Sequence, residues 1–289
     1  MQNTDKRNCS VITIHYGRQA HLYNLIRGLE QNTTQPGELL IINMDPDLHF
    51  DYKGVLTVRI ENIFSKDTGL LPIAQARNLG AQLAKYDRLL FLDVDCIRSV
   101  NYIQILDQEI KENDGLIMGT PKYLKQELQE VTTKELEKHS IHHPRRPHPE
   151  ALTQTDHYEL FWSLCFGVTK SNFEVLGGFD ENYKGYGAED TDLAFVARKK
   201  KIFFYLSTAT AYHQQHSFTR PPLDRIEGIL NNCNYFYQKW NSWPMEKTLQ
   251  QFQKGNYIHF DAEAQKYIQT QKPDQAAIRN ATITNEPFA

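Results

Sequence analysis

Two aspartates, Asp93 and Asp95, directly follow the apolar run Arg88-Leu89-Leu90-Phe91-Leu92. The run is short and bounded by Lys85-Tyr86-Asp87 and Cys96-Ile97-Arg98, which predicts a buried strand ending in two carboxylates. On an extended strand, positions 93 and 95 point the same way. Two adjacent carboxylates repel each other unless a cation sits between them. A hard divalent metal with oxygen ligands is the simplest such cation, and it can also hold a diphosphate. A solvated acidic loop is the plainer alternative for an isolated Asp-x-Asp, and two further clusters weigh against it.

The first is the stretch 177–192, which places Gly177, Gly178, Gly185 and Gly187 within eleven residues, just ahead of Glu189, Asp190 and Asp192. The glycines let the backbone turn tightly and approach a ligand. The acids open a helix carrying Leu193, Phe195 and Val196, where carboxylates also simply favour the N-terminus. That preference does not explain the preceding glycines and tyrosines. A carboxylate placed here can take a proton from a hydroxyl. The second cluster is Ala211-Tyr212-His213-Gln214-Gln215-His216, just after the apolar run Ile202-Phe203-Phe204-Tyr205-Leu206. Two histidines three apart are commonly surface residues. Beside a carboxylate site they become candidate metal ligands. Imidazole, carboxylate and phosphate oxygens in an octahedral shell suit Mn²⁺ better than Mg²⁺.

The elements that must carry these residues alternate. Val11-Ile12-Thr13-Ile14-His15 predicts a strand, and a helix over roughly 20–31 puts Leu22, Leu25, Ile26 and Leu29 on one face. Strands follow at Leu39–Asn43 and Val55–Ile60, then a helix over Ile73–Ala84 with Pro72 in its first turn. A helix at about Tyr102–Lys111 and a strand at Leu116-Ile117-Met118 continue the alternation. The pattern predicts an α/β fold with a parallel or mixed sheet and helices on both faces. Ligands bind beyond the carboxyl ends of such strands. His15-Tyr16-Gly17-Arg18, Met44-Asp45 and Asp93-Val94-Asp95 all fall at such ends. From Tyr123 to about Asp156 the pattern breaks, and His142-His143-Pro144-Arg145-Arg146-Pro147-His148-Pro149 reads as a mobile loop or lid rather than a metal-binding tract. Regular structure is expected to resume at His157–Trp162. From about Met245 the chain is polar, and Gln271–Ala289 reads as a loosely held tail.

The 289 residues suit one large domain; 40% are hydrophobic and 23% charged, as in ordinary globular proteins. A net charge of −3 without a basic stripe gives no reason to expect nucleic acid. Four scattered cysteines read as free thiols in a reducing compartment. The polar N-terminus resembles neither a signal peptide nor an anchor, and no stretch reaches the roughly 18 apolar residues of a spanning helix. The expected location is the cytoplasm or the inner face of its membrane.

The order of these motifs resembles the GT-A fold glycosyltransferases, specifically the β-1,4-galactosyltransferase branch and its bacterial family-2-like relatives, over roughly residues 10–245. The resemblance implies a single GT-A domain with a mixed, mostly parallel central sheet flanked by helices. The nucleotide-sugar half would span about 1–120, the acceptor half about 155–245, and a helical or irregular tail 246–289. His15, Tyr16, Arg18, Asp45, Arg77, Asn78, Asp93, Val94 and Gly187 would line the donor. Asp95, as the second acid of Asp-x-Asp, would ligate Mn²⁺ (or Mg²⁺) with His213 and His216. Gly185-Tyr186-Gly187-Ala188-Glu189-Asp190 matches the Trp-Gly-Trp-Gly-Gly-Glu-Asp loop of that branch. Asp190 would be the catalytic base, and Glu189, Tyr186 and Trp162 would bind the acceptor. Tyr186 and Lys184 replace tryptophans of that loop and Ala188 replaces a glycine, which leaves the sugar open.

The implied reaction moves a sugar from a UDP-linked donor to a hydroxyl of a glycan or glycoconjugate, with inversion. Retention on the same sheet, nucleotidyl transfer, and an inactive sugar-nucleotide-binding protein are the competing readings.

Overall fold

The computed structural model describes residues 5–65 and 69–288, with the backbone alone at 5–7. Chain order begins β1 (Asp5–His15), α1 (Gln19–Glu30), β2 (Thr34–Asn43), β3 (Val58–Asn62), α2 (Ile73–Leu83) and β4 (Arg88–Leu92). It continues with β5 (Cys96–Arg98), α3 (Tyr102–Glu112), β6 (Gly115–Leu124), α4 (Thr133–Lys138), β7 (Ser140–His142) and β8 (Thr153–Gln154). Next come β9 (Cys165–Thr169), α5 (Lys170–Leu176), α6 (Glu189–Lys199), β10 (Phe203–His213) and β11 (Phe218–Thr219). The chain closes with α7 (Ile226–Trp240), α8 (Glu246–Lys254), the hairpin β12 (Ile258–Asp261) and β13 (Lys266–Gln269), α9 (Gln275–Ala281) and β14 (Thr282–Ile283).

The central sheet runs β3-β2-β1-β4-β9-β6-β10-β5, with β7 and β8 added to β6 and β10. Strands β3, β2, β1 and β4 pair in parallel, as do β6 and β10. Strand β9 is antiparallel to both β4 and β6, so it reverses direction without turning β6 and β10 away from β4. The carboxyl ends of β1, β2, β4 and β10 therefore open on one edge. Alternation along β1 covers both faces: Val11 joins Leu22, Leu25, Leu29 and Leu39 under α1, while Ile12 joins Phe91, Phe166, Phe173 and Leu193 under α5 and α6. Gly80 makes the seat for α2. A Cβ there would stand 2.4 Å from Ile12 Cγ2, so only glycine lets the helix approach this closely.

Three expectations change. The third strand is shifted to β3, because its pairing with β2 runs from Leu39↔Val58 to Asn43↔Asn62 and leaves residues 55–57 before the ladder. The stretch 123–156 is less irregular than its prolines suggest. Strand β6 runs on to Leu124, the Thr132 hydroxyl caps α4 by accepting from Glu135 N–H, and β7 pairs with β6. Finally, the end of the chain is pinned. Residues Ala277, Ile278 and Ala281 pack on the α7–α8 cluster, and β14 pairs with β11. No helix among the described residues is long and apolar enough to cross a membrane.

Candidate functional site

Asp93 to Asp95 form a turn rather than an extension of β4. Cys96 N–H donates to Asp93 O at 2.8 Å, and the chain re-enters the sheet as β5. The alternation argument for two carboxylates sharing one cation therefore fails, and the two side chains take different partners. Asp93 accepts from Arg77 Nη2 at 3.1 Å. Asp95 faces His213 Nε2 at 3.5 Å and His216 Nε2 at 3.7 Å.

The sheet explains that meeting. Strand β5 runs antiparallel to β10 with His213 opposite Cys96, and Gln214 N–H donates to Asp95 O at 2.6 Å. The last residue of β10 is thereby held against the turn. One ligand atom each from Asp95, His213 and His216 lies within 4.8 Å of the others. Burial pushes the Asp95 carboxyl up, but His213, Arg18 and His216 outweigh it and bring it down to about 2. Burial and Arg18 lower His216 to about 4, which keeps its imidazole neutral, the form that binds metals. The Arg18 guanidinium sits on Asp95 and 3.4 Å from His216 Nδ1. A cation thus already occupies the carboxylate. The donor set, one carboxylate and two imidazoles, fits a divalent transition-metal ion.

The other strand ends converge here as well. Gly17 N–H donates to Asp45 Oδ2 at 3.0 Å, and His15 Nδ1 lies 3.0 Å from Asn43 Oδ1. Tyr16 is exposed on this edge, whereas His15 and Val94 are buried. Asn78 bonds Phe179 O and Glu181, tying α2 to the glycine-rich stretch.

That stretch meets the turn through Arg77. Its guanidinium is buried, with Nη1 3.3 Å from Glu189 Oε1 and Nη2 on Asp93. Arg77, expected beside the donor, bridges the two acidic motifs. Glu189 is similarly committed, since its other oxygen accepts from Gly187 N–H at 2.9 Å. Burial and neighbouring Asp190 push Glu189 up to about 7. Asp190 opens α6 half-buried, accepts from Thr191 N–H at 2.7 Å, and is raised by burial, which suits a group that must gain a proton. Ala188, at the position where the related loop carries glycine, adopts φ +68°, a left-handed conformation held at the entry to the acids. Tyr186 is 38% exposed and its phenol is raised to about 12 by burial and by Asp190. Trp162 is half-buried beside His143 and Arg146.

Several residues here were not singled out by sequence reasoning. His21, in the first turns of α1, feels the Asp95 charge, and its ring lies 6.1 Å from that of His216. Phe288 packs its ring 5.1 Å from His213 and 5.6 Å from His216. Arg146 was hidden in the proline-histidine tract. For His21 a signal existed in its helical spacing from Arg18.

The model of the family described as "Glycosyltransferase like family 2" matches residues 38–235. The validoxylamine A glucosyltransferase of Streptomyces hygroscopicus subsp. limoneus is 23% identical over 270 residues, covering 80% of this chain and 56% of that protein. The chondroitin synthase of Pasteurella multocida (strain Pm70) is 24% identical over 216 residues, covering 62% of this chain and 22% of that protein. The chain thus spans little more than half the length of the first of these relatives. Among solved structures, GalNAc-T7 with UDP, GalNAc and Mn²⁺ aligns with a TM-score of 0.54 at 15% identity, over 71% of this chain and 42% of that one. S. aureus TarS 1-349 aligns with a TM-score of 0.54 at 13% identity, over 89% and 76%. At these identities the likeness bears on the fold, which is the GT-A arrangement: a mixed, mostly parallel sheet flanked by helices.

Proposed function

The chain belongs to the glycosyltransferase family 2-like family, and from that premise we propose that it transfers a sugar from a UDP-linked donor to a hydroxyl of a glycan or glycoconjugate, with inversion and with Mn²⁺. The observation that carries this reading is the meeting of Asp95, His213 and His216 at the strand ends, with Asp190 next to Glu189, which Arg77 bridges to Asp93.

Asp95, His213 and His216 would hold the ion, which when bound supplies Lewis-acid stabilisation of charge on a diphosphate leaving group. Arg18, now on Asp95, is placed to turn to the diphosphate once Asp95 has another cation. Tyr16 and Asp45 border the space for the nucleoside. Asp190 takes the proton of the acceptor hydroxyl as its oxygen attacks the anomeric carbon. The bond from that carbon to the diphosphate oxygen breaks, its electron pair leaves with UDP, and a single displacement from the opposite face inverts the centre. Glu189 is held by Arg77 and Gly187 N–H, so its contribution is to fix the loop and the field around Asp190. Tyr186 and Trp162 would border the acceptor, each with an arginine over its ring.

Structural neighbours support the donor and ion: GalNAc-T7 holds UDP, GalNAc and Mn²⁺, and S. aureus TarS 1-349 holds UDP-GlcNAc, the latter aligning with a TM-score of 0.52 at 13% identity, over 71% of this chain and 57% of that one. The test is calorimetry with UDP with and without Mn²⁺, followed by a panel of nucleotide sugars scored for Mn²⁺-dependent hydrolysis. Absence of Mn²⁺-dependent UDP binding would refute the donor assignment. An α-linked product from an α-donor would replace inversion by retention.

A further inference from the structure

Two aromatic–arginine pairs flank Asp190, and the reaction described above uses neither arginine. The Arg146 Cζ lies 3.2 Å from the centre of the Trp162 ring. The Arg225 Cζ lies 5.1 Å from the centre of the Tyr186 ring. Arg146 is set by a turn in which its N–H donates to His143 O at 3.1 Å, and His143 meets the same indole edge-on at 5.0 Å. Among the described residues Arg146 forms no ion pair, and its Nη1 is buried without an acceptor. A donor left in that state is costly. Burial lowers the Arg146 guanidinium to about 10, and the charges of Tyr123 and Asp190 act on it through space without a bond. Arg145 and Arg220 add to the positive potential at His143. The chain as a whole is negative, at −3, so this positive rim is local.

Stacking on an indole fixes the plane of a guanidinium and leaves its in-plane donors, the unpartnered Nη1 among them, free for an acceptor. Such a fork matches a carboxylate or phosphate in a bidentate fashion. A neutral hydroxyl would satisfy one donor and leave the charge unmet. We propose that the acceptor is anionic, a glycan or glycoconjugate whose carboxylate or phosphate is received by Arg146 on the Trp162 shelf, with Arg225 beside Tyr186 as a second contact. This rests on the transferase reading of Asp190.

The test uses the full chain with Mn²⁺ and the donor found by hydrolysis. Three soluble acceptors share one terminal hydroxyl: a neutral oligosaccharide, its uronate counterpart and a phosphate-bearing counterpart. Binding of each to the UDP- and Mn²⁺-loaded chain is measured by calorimetry alongside transfer. The expected result is a preference of about tenfold or more for an anionic acceptor, shrinking as salt is raised. Which of the two wins separates carboxylate from phosphate. Arg146→Met should abolish the preference and Arg146→Lys should keep part of it. If Arg146→Met fails to fold, as judged by its melting curve, Arg225→Gln should still reduce the preference. Equal binding and use of the neutral acceptor would overturn the proposal, as would a preference that survives both neutral variants. Donor hydrolysis by the unmodified chain reports on the transferase reading separately. Its absence with every nucleotide sugar removes that reading and the proposal with it, whereas its presence with neutral acceptors favoured removes the anionic acceptor alone.

Discussion

Arg77→Met removes the cation that bridges Asp93 and Glu189. Breaking a buried ion pair by deleting one partner costs roughly 3–5 kcal/mol when the remaining charge stays bare. Two features of this site reduce that figure. Asp93 keeps 29% of its side chain exposed, so water screens its pair with Arg77, and about 0.5–1 kcal/mol is expected from it. Glu189 is 6% exposed, but burial has already raised its carboxyl to about 7. With Arg77 gone it takes up a proton instead of remaining charged. At pH 8 that protonation costs about 1.4 kcal/mol, one unit above the folded value. The sum is about 2 kcal/mol at pH 8.

The sign with pH follows from linkage. An unfolded Glu titrates near 4.3, below the folded value of about 7. Between these the folded chain binds more protons, so its stability falls as pH rises and levels off above the folded value. Without Arg77 the folded value is higher still, and the fall continues past pH 7. The deficit of Arg77→Met against the parent should therefore be about 2 kcal/mol at pH 8 and about half that at pH 6. In a chain of this size that is a loss of about 4–8 °C in Tm at pH 8 and less at pH 6. Calorimetric unfolding at the two pH values measures both. An unchanged Tm at pH 8, or a larger deficit at pH 6, would refute the bridge.

Further outcomes follow from the same geometry. Asp190→Asn should lower transfer by about 10²–10⁴, the range for loss of a general base, with UDP affinity nearly unchanged by calorimetry. Asp95→Asn or His213→Ala should weaken Mn²⁺-dependent UDP binding by at least about tenfold and remove the rise in Tm that Mn²⁺ gives the parent. Phe288→Ala frees the rings of His213 and His216 and should weaken Mn²⁺ binding by about threefold to tenfold, read by titration with the ion alone.

The sheet and the helices on its faces were legible because their signals are local. Leu22, Leu25 and Leu29 repeat at helical spacing, and the runs at 39–43 and 88–92 are apolar and bounded by polar residues. The three motifs were legible for a different reason: the carboxyl ends of the strands must share one edge. What local pattern cannot supply is the choice of partner. Asp93 and Asp95 are two residues apart in a turn, yet one turns to α2 and the other to the end of β10. That division depends on the antiparallel insertion of β9, which brings β10 to the same edge as β4. Arg146 was lost among prolines because its function depends on Trp162, sixteen residues on and in another element. The last residues were read as loose because they are polar, while what holds them is pairing with Phe218 and Thr219 and a hydrogen bond from Gln215 Nε2 to Thr284 O.

Phe288 rests on the two histidines and edge-on to Phe218, 5.0 Å away. Any segment that follows Phe288 starts its path beside the two histidines. A polyhistidine tag placed there would bring six imidazoles into competition with His213 and His216 for the same manganese, and would distort every titration of that ion.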